Sequence, residues 1–156
     1  MRKPVLKQAP SGELYTTESE LQKTFVRYFR TVFASFKKLL FSIPNGAKMG
    51  GRVGKSGHPI QASIMISEGL TAGVADLFLS IPGSGLHGLY IETKTPVGTW
   101  EADQKEFFRA VTSMQYGYVI CRTLSQFEKA INDYLTNNYE QENNEQKVNK
   151  GYKVAA

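Results

Sequence analysis

Two runs rich in branched and aromatic residues, 75–81 (ADLFLSI) and 89–94 (LYIETK), bracket Gly83, Ser84 and Gly85. Such an arrangement reads as a β-hairpin, and a hairpin imposes a side-chain period of two on both arms. A turn centred on Ser84 and Gly85 sets Asp76 opposite Lys94, Phe78 opposite Glu92 and Ser80 opposite Tyr90. Opposed residues share a face. Asp76, Glu92 and Lys94 then project from one face at the open end of the hairpin, while Leu77, Leu79 and Ile81 share the other with Leu89, Ile91 and Thr93. That second face is almost wholly apolar and should be core. A slip of one residue would exchange the two faces.

The rest of the chain supplies helices to cover the hairpin. From Thr17 to about Leu40, Leu21, Phe25, Tyr28, Val32 and Phe36 recur at spacings of three and four, the mark of an amphipathic helix. Thr17 suits the N-cap, and Glu18 and Glu20 suit the positive end of the helix dipole. Phe41, Ile43 and Pro44 follow as a short strand, then a loop over 45–57 with five glycines and three cations. A shorter helix is expected from Pro59 to about Leu70. Beyond the hairpin come a helix over 101–114 with Phe107, Phe108 and Val111 inward, a buried strand over 117–121, and a last helix over 125–135 with Phe127, Ile131 and Tyr134 inward. Residues 1–15 read as a basic, extended lead-in, 16–136 as the folded domain, and 137–156 as a polar, disordered tail. The order of elements implies an α/β fold with a mixed central sheet flanked by helices.

Composition narrows the field. A chain of 156 residues with 41% apolar content builds one domain with a real core. With no apolar run near the ~20 residues of a membrane helix and no charged-then-apolar leader, a soluble, cytoplasmic protein is expected. Cys121 is the one cysteine, which excludes an internal disulfide and a cysteine-rich zinc site. The net charge of +5 is uneven: residues 1–60 hold 11 Lys and Arg against 3 acids, and residues 61–156 hold 8 against 11. A basic front half suits a polyanionic partner, because neutralised phosphates release counterions.

Two acids and a lysine on an otherwise apolar strand pair are costly without partners or work. Magnesium takes hard oxygen ligands, often one or two carboxylates with waters and phosphate completing the shell, and Asp76 and Glu92 suit that need. Lys94 is placed to steady an attacking water or a scissile phosphate. The plain alternative is an ion-pair cluster at the end of a sheet.

Asp76 followed by Glu92, Thr93 and Lys94 resembles the D…ExK core of the PD-(D/E)xK nuclease superfamily, and the wider context is similar to its VRR-NUC (virus-type replication-repair nuclease) branch. The stretches that carry the resemblance are SIPNGAKMGG from Ser42, EGLTAGVADLFLSIP from Glu68, HGLYIETKTPVG from His87 and DQKEFF from Asp103. It covers roughly residues 18–135. One departure is Ala75, where the family often has proline.

The resemblance implies a restriction-endonuclease-like core in which Asp76, Glu92 and the backbone carbonyl of Thr93 ligate magnesium or manganese. Lys94 would act on water or phosphate, and Gln104 would help to position the lysine or water. It also implies an acid on the first helix near the metal. Glu18, three and seven residues before Leu21 and Phe25, is the first choice and Glu20 the fallback; either also suits a simple first-turn charge. The activity implied is endonucleolytic cleavage of DNA, selective for junctions, flaps or nicks, by a homodimer of the kind that resolves branched DNA in repair. The family name adds a viral or phage setting.

Two rivals stand beside it: a non-catalytic DNA-binding module on the same fold, and a sequence-specific restriction-type endonuclease. In the glycine loop, Gly54, Lys55 and Ser56 invite a phosphate-loop reading, but Met49 stands where that motif requires glycine. Asn45, Lys48, Arg52 and Lys55 read instead as DNA-backbone contacts, with solvated loop charge as the alternative. His58 and His87 have no Ser or Cys partner at a recognisable spacing. Trp100, Tyr116 and Tyr118 read as packing aromatics rather than base-stacking ones.

Overall fold

The computed structural model describes residues 6–44 and 60–142, the first three of the second stretch by backbone alone. Chain order is β1 (Lys7–Gln8), β2 (Leu14–Tyr15), α1 (Glu18–Val32), a 3₁₀ turn (Ala34–Phe36), β3 (Leu40–Ser42), α2 (Ile60–Ser67), β4 (Leu77–Leu79), β5 (Leu89–Thr93), α3 (Ala102–Ser113), β6 (Gly117–Cys121) and α4 (Leu124–Leu135). β1 and β2 form a small antiparallel ribbon within the expected lead-in. The main sheet has the order β3-β4-β5-β6, antiparallel except for the β5–β6 pair, which α3 connects as a parallel crossover. The fold is therefore α/β, with a mixed sheet between helices.

The period of two decides what each face meets. Leu77, Leu79, Leu89, Ile91 and Cys121 point to one side, where Phe25 and Phe29 of α1 and Phe127, Ala130, Ile131 and Tyr134 of α4 bury them. Phe25 and Phe127 stack at 4.6 Å with their rings 4° from parallel. The other side carries Tyr90 and Tyr118 under Trp100 and α3, whose Phe107, Phe108 and Val111 turn inward.

Three expectations need correction. The first helix stops at Val32, its turn closed by the Phe33 N–H on the Phe29 carbonyl, so Val32 and Phe36 are exposed rather than part of the stripe. The three-and-four spacing runs on past the point where the chain must bend into β3. Residues 137–142, expected to be disordered, are docked: Tyr139 Oη and Gln141 Nε2 donate to the Tyr118 carbonyl, both at 2.9 Å, and Gln141 Oε1 accepts from the Tyr118 N–H at 2.7 Å. They satisfy backbone groups of β6 that would otherwise lie bare at a sheet edge.

The third correction is the hairpin register. Ser84 and Gly85 do form the turn, with φ of 51° and 73° and Gly83 bridged to Leu86, as a tight two-residue turn requires. The ladder pairs Leu77 with Ile91, Phe78 with Tyr90 and Leu79 with Leu89, two residues away from the expected alignment. Three residues (80–82) separate β4 from the bridge, but only two (87 and 88) separate it from β5. That extra residue on the β4 side accounts for one of the two; a two-residue turn that pairs Gly83 with Leu86 accounts for the other, since it already sets Asp76 one position short of Lys94. Because the offset is even, each side chain keeps its expected face.

Candidate active site

At the end of the sheet opposite the hairpin turn, the last residues of β5 meet the approach to β4 and the first turns of α1 and α3. One ladder step beyond Leu77, Asp76 comes level with Glu92, not with Lys94. Its Oδ2 accepts from the Thr93 N–H at 2.9 Å, and its backbone carbonyl accepts from the Ile43 N–H at 2.9 Å. The aspartate is thus fixed at both ends, by β5 through its side chain and by β3's C-terminal edge through its backbone.

Glu92 is the centre of the cluster and is 1% exposed. Its Oε1 receives Lys94 Nζ at 3.1 Å and Gln104 Nε2 at 2.5 Å. Its Oε2 is buried with no hydrogen-bond partner. Burial pushes the Glu92 carboxyl up to about 8, helped by Asp76 and, less, by Glu18; Lys94 pulls the other way. Lys94 is itself 7% exposed, and its backbone N–H is held by the Cys121 carbonyl at 3.1 Å.

Gln104 sits at the third position of α3 and serves two elements at once. Its Oε1 accepts from the Glu101 N–H at 3.0 Å, one half of a capping box, which leaves its amide nitrogen turned to Glu92. Its partner is thus the Glu92 carboxyl, on the same oxygen that receives Lys94. Glu18 opens α1, and its Oε1 lies 3.4 Å from the Thr95 N–H and within the field of Glu92. Glu20 turns away to Lys23, at 2.6 Å. Of the two, only Glu18 reaches this end of the sheet. Thr93 contributes its backbone here, while its buried hydroxyl has no partner.

Several neighbours carried no signal at the level of sequence. Arg122, just past β6, donates from its guanidinium to the Thr95 carbonyl and, at 3.0 Å, to the Gly98 carbonyl. It fastens the turn that covers the cluster: a Cβ on Gly98 would come within 3.0 Å of Glu18 Oε1 and 3.3 Å of Lys94 Cδ. No local pattern could have shown a partner more than twenty residues away. Gly73 lies in a stretch quoted for the family resemblance, yet its reason is tertiary. It adopts φ of 80°, and a Cβ there would sit 2.3 Å from the Asp103 carbonyl oxygen and 2.8 Å from the Gln104 N–H nitrogen. Behind Glu92, Tyr118 Oη and Trp100 Nε1 are buried without a well-formed hydrogen bond. Burial raises the Tyr118 hydroxyl far above its ordinary range, and the nearby Glu92 charge adds to the effect.

Trp100 and Tyr118 are core residues and Tyr116 is half-buried, so these rings pack. His87 is exposed, its ring 5.6 Å from that of Tyr116. Asn45, Lys48, Arg52, Lys55 and His58 lie outside the described residues. Among those described, no three of His, Cys, Asp and Glu are grouped closely enough to hold a metal by themselves. A site here would rest on two carboxylates, within the range magnesium accepts when waters and phosphate complete its shell. No helix among the described residues is long and apolar enough to cross a membrane.

No protein-family model matches the sequence, and no curated protein matches it. A solved structure described as a VRR_NUC domain protein is similar in fold, with a TM-score of 0.64 at 20% identity, over 78% of this chain and 90% of that one.

Proposed function

Starting from a chain that folds as a VRR-NUC domain protein does, we propose that it is a metal-dependent DNA endonuclease whose centre is Asp76, Glu92 and Lys94. The observation that carries this reading is the state of Glu92. A carboxyl group with one oxygen held by Lys94 and Gln104 and the other buried without a well-formed hydrogen bond is expensive to ionise in a core. A divalent cation bound by that second oxygen and by Asp76 would remove the cost, so the donor set fits magnesium or manganese. The backbone carbonyl of Thr93 would be the third protein oxygen.

When bound, such an ion activates water and neutralises charge on the phosphate. The chain's own groups do the rest. Gln104 holds Glu92 in one orientation, and the Thr93 N–H does the same for Asp76. Lys94, held by Glu92 Oε1, would present its ammonium to the incoming water or to the scissile phosphate. Glu18, at the mouth of the cluster, orders a water or accepts its proton. The turn at 95–98 and Trp100 exclude bulk solvent from one side.

The substrate proposed is branched, flapped or nicked DNA read by shape, and the working form a homodimer, which places two centres on two strands. The test is incubation with linear, nicked, flap and four-way-junction DNA in magnesium, manganese or chelator, beside Lys94→Ala. The expected result is metal-dependent cutting of branched DNA that the variant loses by about 10²–10³-fold. Binding without cutting would establish a non-catalytic module, and cutting at one sequence only would establish a restriction-type enzyme. Light scattering that finds a monomer with and without DNA removes the dimer.

A further inference from the structure

The charge of this chain is concentrated more sharply than its net value indicates. Residues 21–67 contain eight Lys and Arg and not one Asp or Glu. Three of those cations follow one another on α1 at positions i, i+4 and i+7: Lys23, Arg27 and Arg30. They form one exposed stripe, turned away from the buried Phe25 and Phe29. Seven residues of helix separate the first from the last, about 10 Å, which lets the three cations reach neighbouring phosphates of one strand.

The stripe borders a groove of about 600 Å³ between α1 and the edge strand β3. Val26 and Leu40 give it an apolar floor, and Ser19, Gln22, Thr31 and Ser42 place neutral hydrogen-bonding groups along its walls. No acid lines it. Glu20 stands just outside and holds Lys23, whereas Arg27 and Arg30 have no ion pair with any described residue.

The groove also has a direction. α1 runs away from the candidate active site, beginning at Glu18, and β3 runs towards it, ending one residue before Ile43, which is bonded to the Asp76 carbonyl. Ser19 and Ser42 therefore mark the end of the groove that opens on the cluster, and Arg30 and Thr31 mark the far end.

We infer that the α1/β3 groove holds the phosphodiester backbone of the DNA strand that leaves the active site, with Arg27 and Arg30 as its main phosphate contacts and Lys23 joining when phosphate displaces Glu20. This rests on the nuclease reading and adds to it the path of the substrate. The occupant follows from charge complementarity. A cationic stripe without acids suits a repeating anion, and the hydroxyl and amide groups along the walls are those that commonly bind phosphate oxygens.

The test uses the full chain in chelator, so that binding is read without cutting. Labelled four-way-junction and single-stranded DNA are titrated by fluorescence anisotropy at several salt concentrations, for the parent and for Arg27→Ala/Arg30→Ala. Losing two phosphate contacts should weaken binding by about 10–100-fold near 0.1 M salt and reduce the slope of log affinity against log salt by about 1.5–2. Lys129→Ala, an exposed cation on α4 outside the groove, should change neither. An unaltered melting temperature checks the fold, since both arginines are exposed.

If the double variant binds with the parent's affinity and slope while the parent cuts DNA in magnesium, the groove assignment is wrong and the nuclease reading stands. If the parent neither binds nor cuts any of these DNAs, the nuclease reading fails, and this inference fails with it. A variant that changes the mass of the particle in solution but not its DNA binding would make the groove a contact between copies of the chain, and would also overturn the proposal.

Discussion

The two faces of the sheet are built to different rules. On the side of α1 and α4 the buried side chains are apolar or, like Tyr134, whose Oη donates to the Ile81 carbonyl at 2.8 Å, have their polar atom matched, with the Thr93 hydroxyl as the exception. On the side of α3 lie Glu92, Lys94, Tyr118 and, from the loop before α3, Trp100, and three buried polar atoms there, Glu92 Oε2, Tyr118 Oη and Trp100 Nε1, have no well-formed hydrogen bond. Both faces come from a single alternation along β5, so the contrast is not a matter of where the strand lies. One face holds the molecule together, and the other spends stability to keep a carboxylate and an ammonium out of water.

If that contrast is right, the largest separation between folding and activity comes from the apolar face. Phe127→Ala removes a ring stacked on Phe25, and calorimetry should show a loss of about 3–5 kcal/mol. The cutting rate per folded molecule should be unchanged. A variant that folded well but failed to cut would break the division between the faces.

The polar face should respond in the opposite sense, and its response depends on pH. Glu92 is raised from 4.5 to about 8 in the folded chain, so the unfolded chain gives up that proton first. Without metal, the contribution of Glu92 to stability should be greatest below about pH 4.5, fall as pH rises towards 8 and level off beyond, by a few kcal/mol in all. Glu92→Gln keeps the shape and cannot ionise. It should flatten that fall, melt higher than the parent at pH 8, and abolish cutting. Melting curves of both proteins in chelator from pH 5 to 9 decide the point; a parent that does not lose melting temperature relative to the variant over that range contradicts the account.

A smaller effect is expected at the border between the regions. Arg122 touches no member of the cluster directly but ties down the turn that covers it. Arg122→Ala should cost about 1–3 kcal/mol of stability, as loss of hydrogen bonds from a charged group does. Its cutting should fall roughly tenfold through kcat with KM little changed, and Arg122→Lys should recover only part of it, since one ammonium replaces a forked donor poorly. Equal loss in KM would show that the turn holds substrate rather than the cluster.

Much of the frame was legible from residues alone, because short periods survive local error. Alternation in 89–94 separated Ile91 from Glu92 correctly, even though the ladder is offset by two residues. The strand Gly117–Cys121 and the inward residues of α4, Phe127, Ile131 and Tyr134, stand where periodicity put them. The acids and the lysine share one end of the sheet for the same reason. Periodicity misled where a chain must stop. Val32 and Phe36 continue the spacing of α1 but lie outside the core, since what ends the helix is the bend into β3.

What the chain by itself determined, then, is which residues face which way along each element, since that follows from backbone geometry repeated every two or 3.6 residues. Tertiary structure alone decided which elements meet. It brought Glu18 rather than Glu20 to the end of the sheet, set Gln104 against Glu92, brought Arg122 to the 95–98 turn and folded residues 137–142 onto β6. Each of these is a contact across a long loop of chain, and its partner is fixed by how close the packed layers come, a distance no local pattern of residues contains.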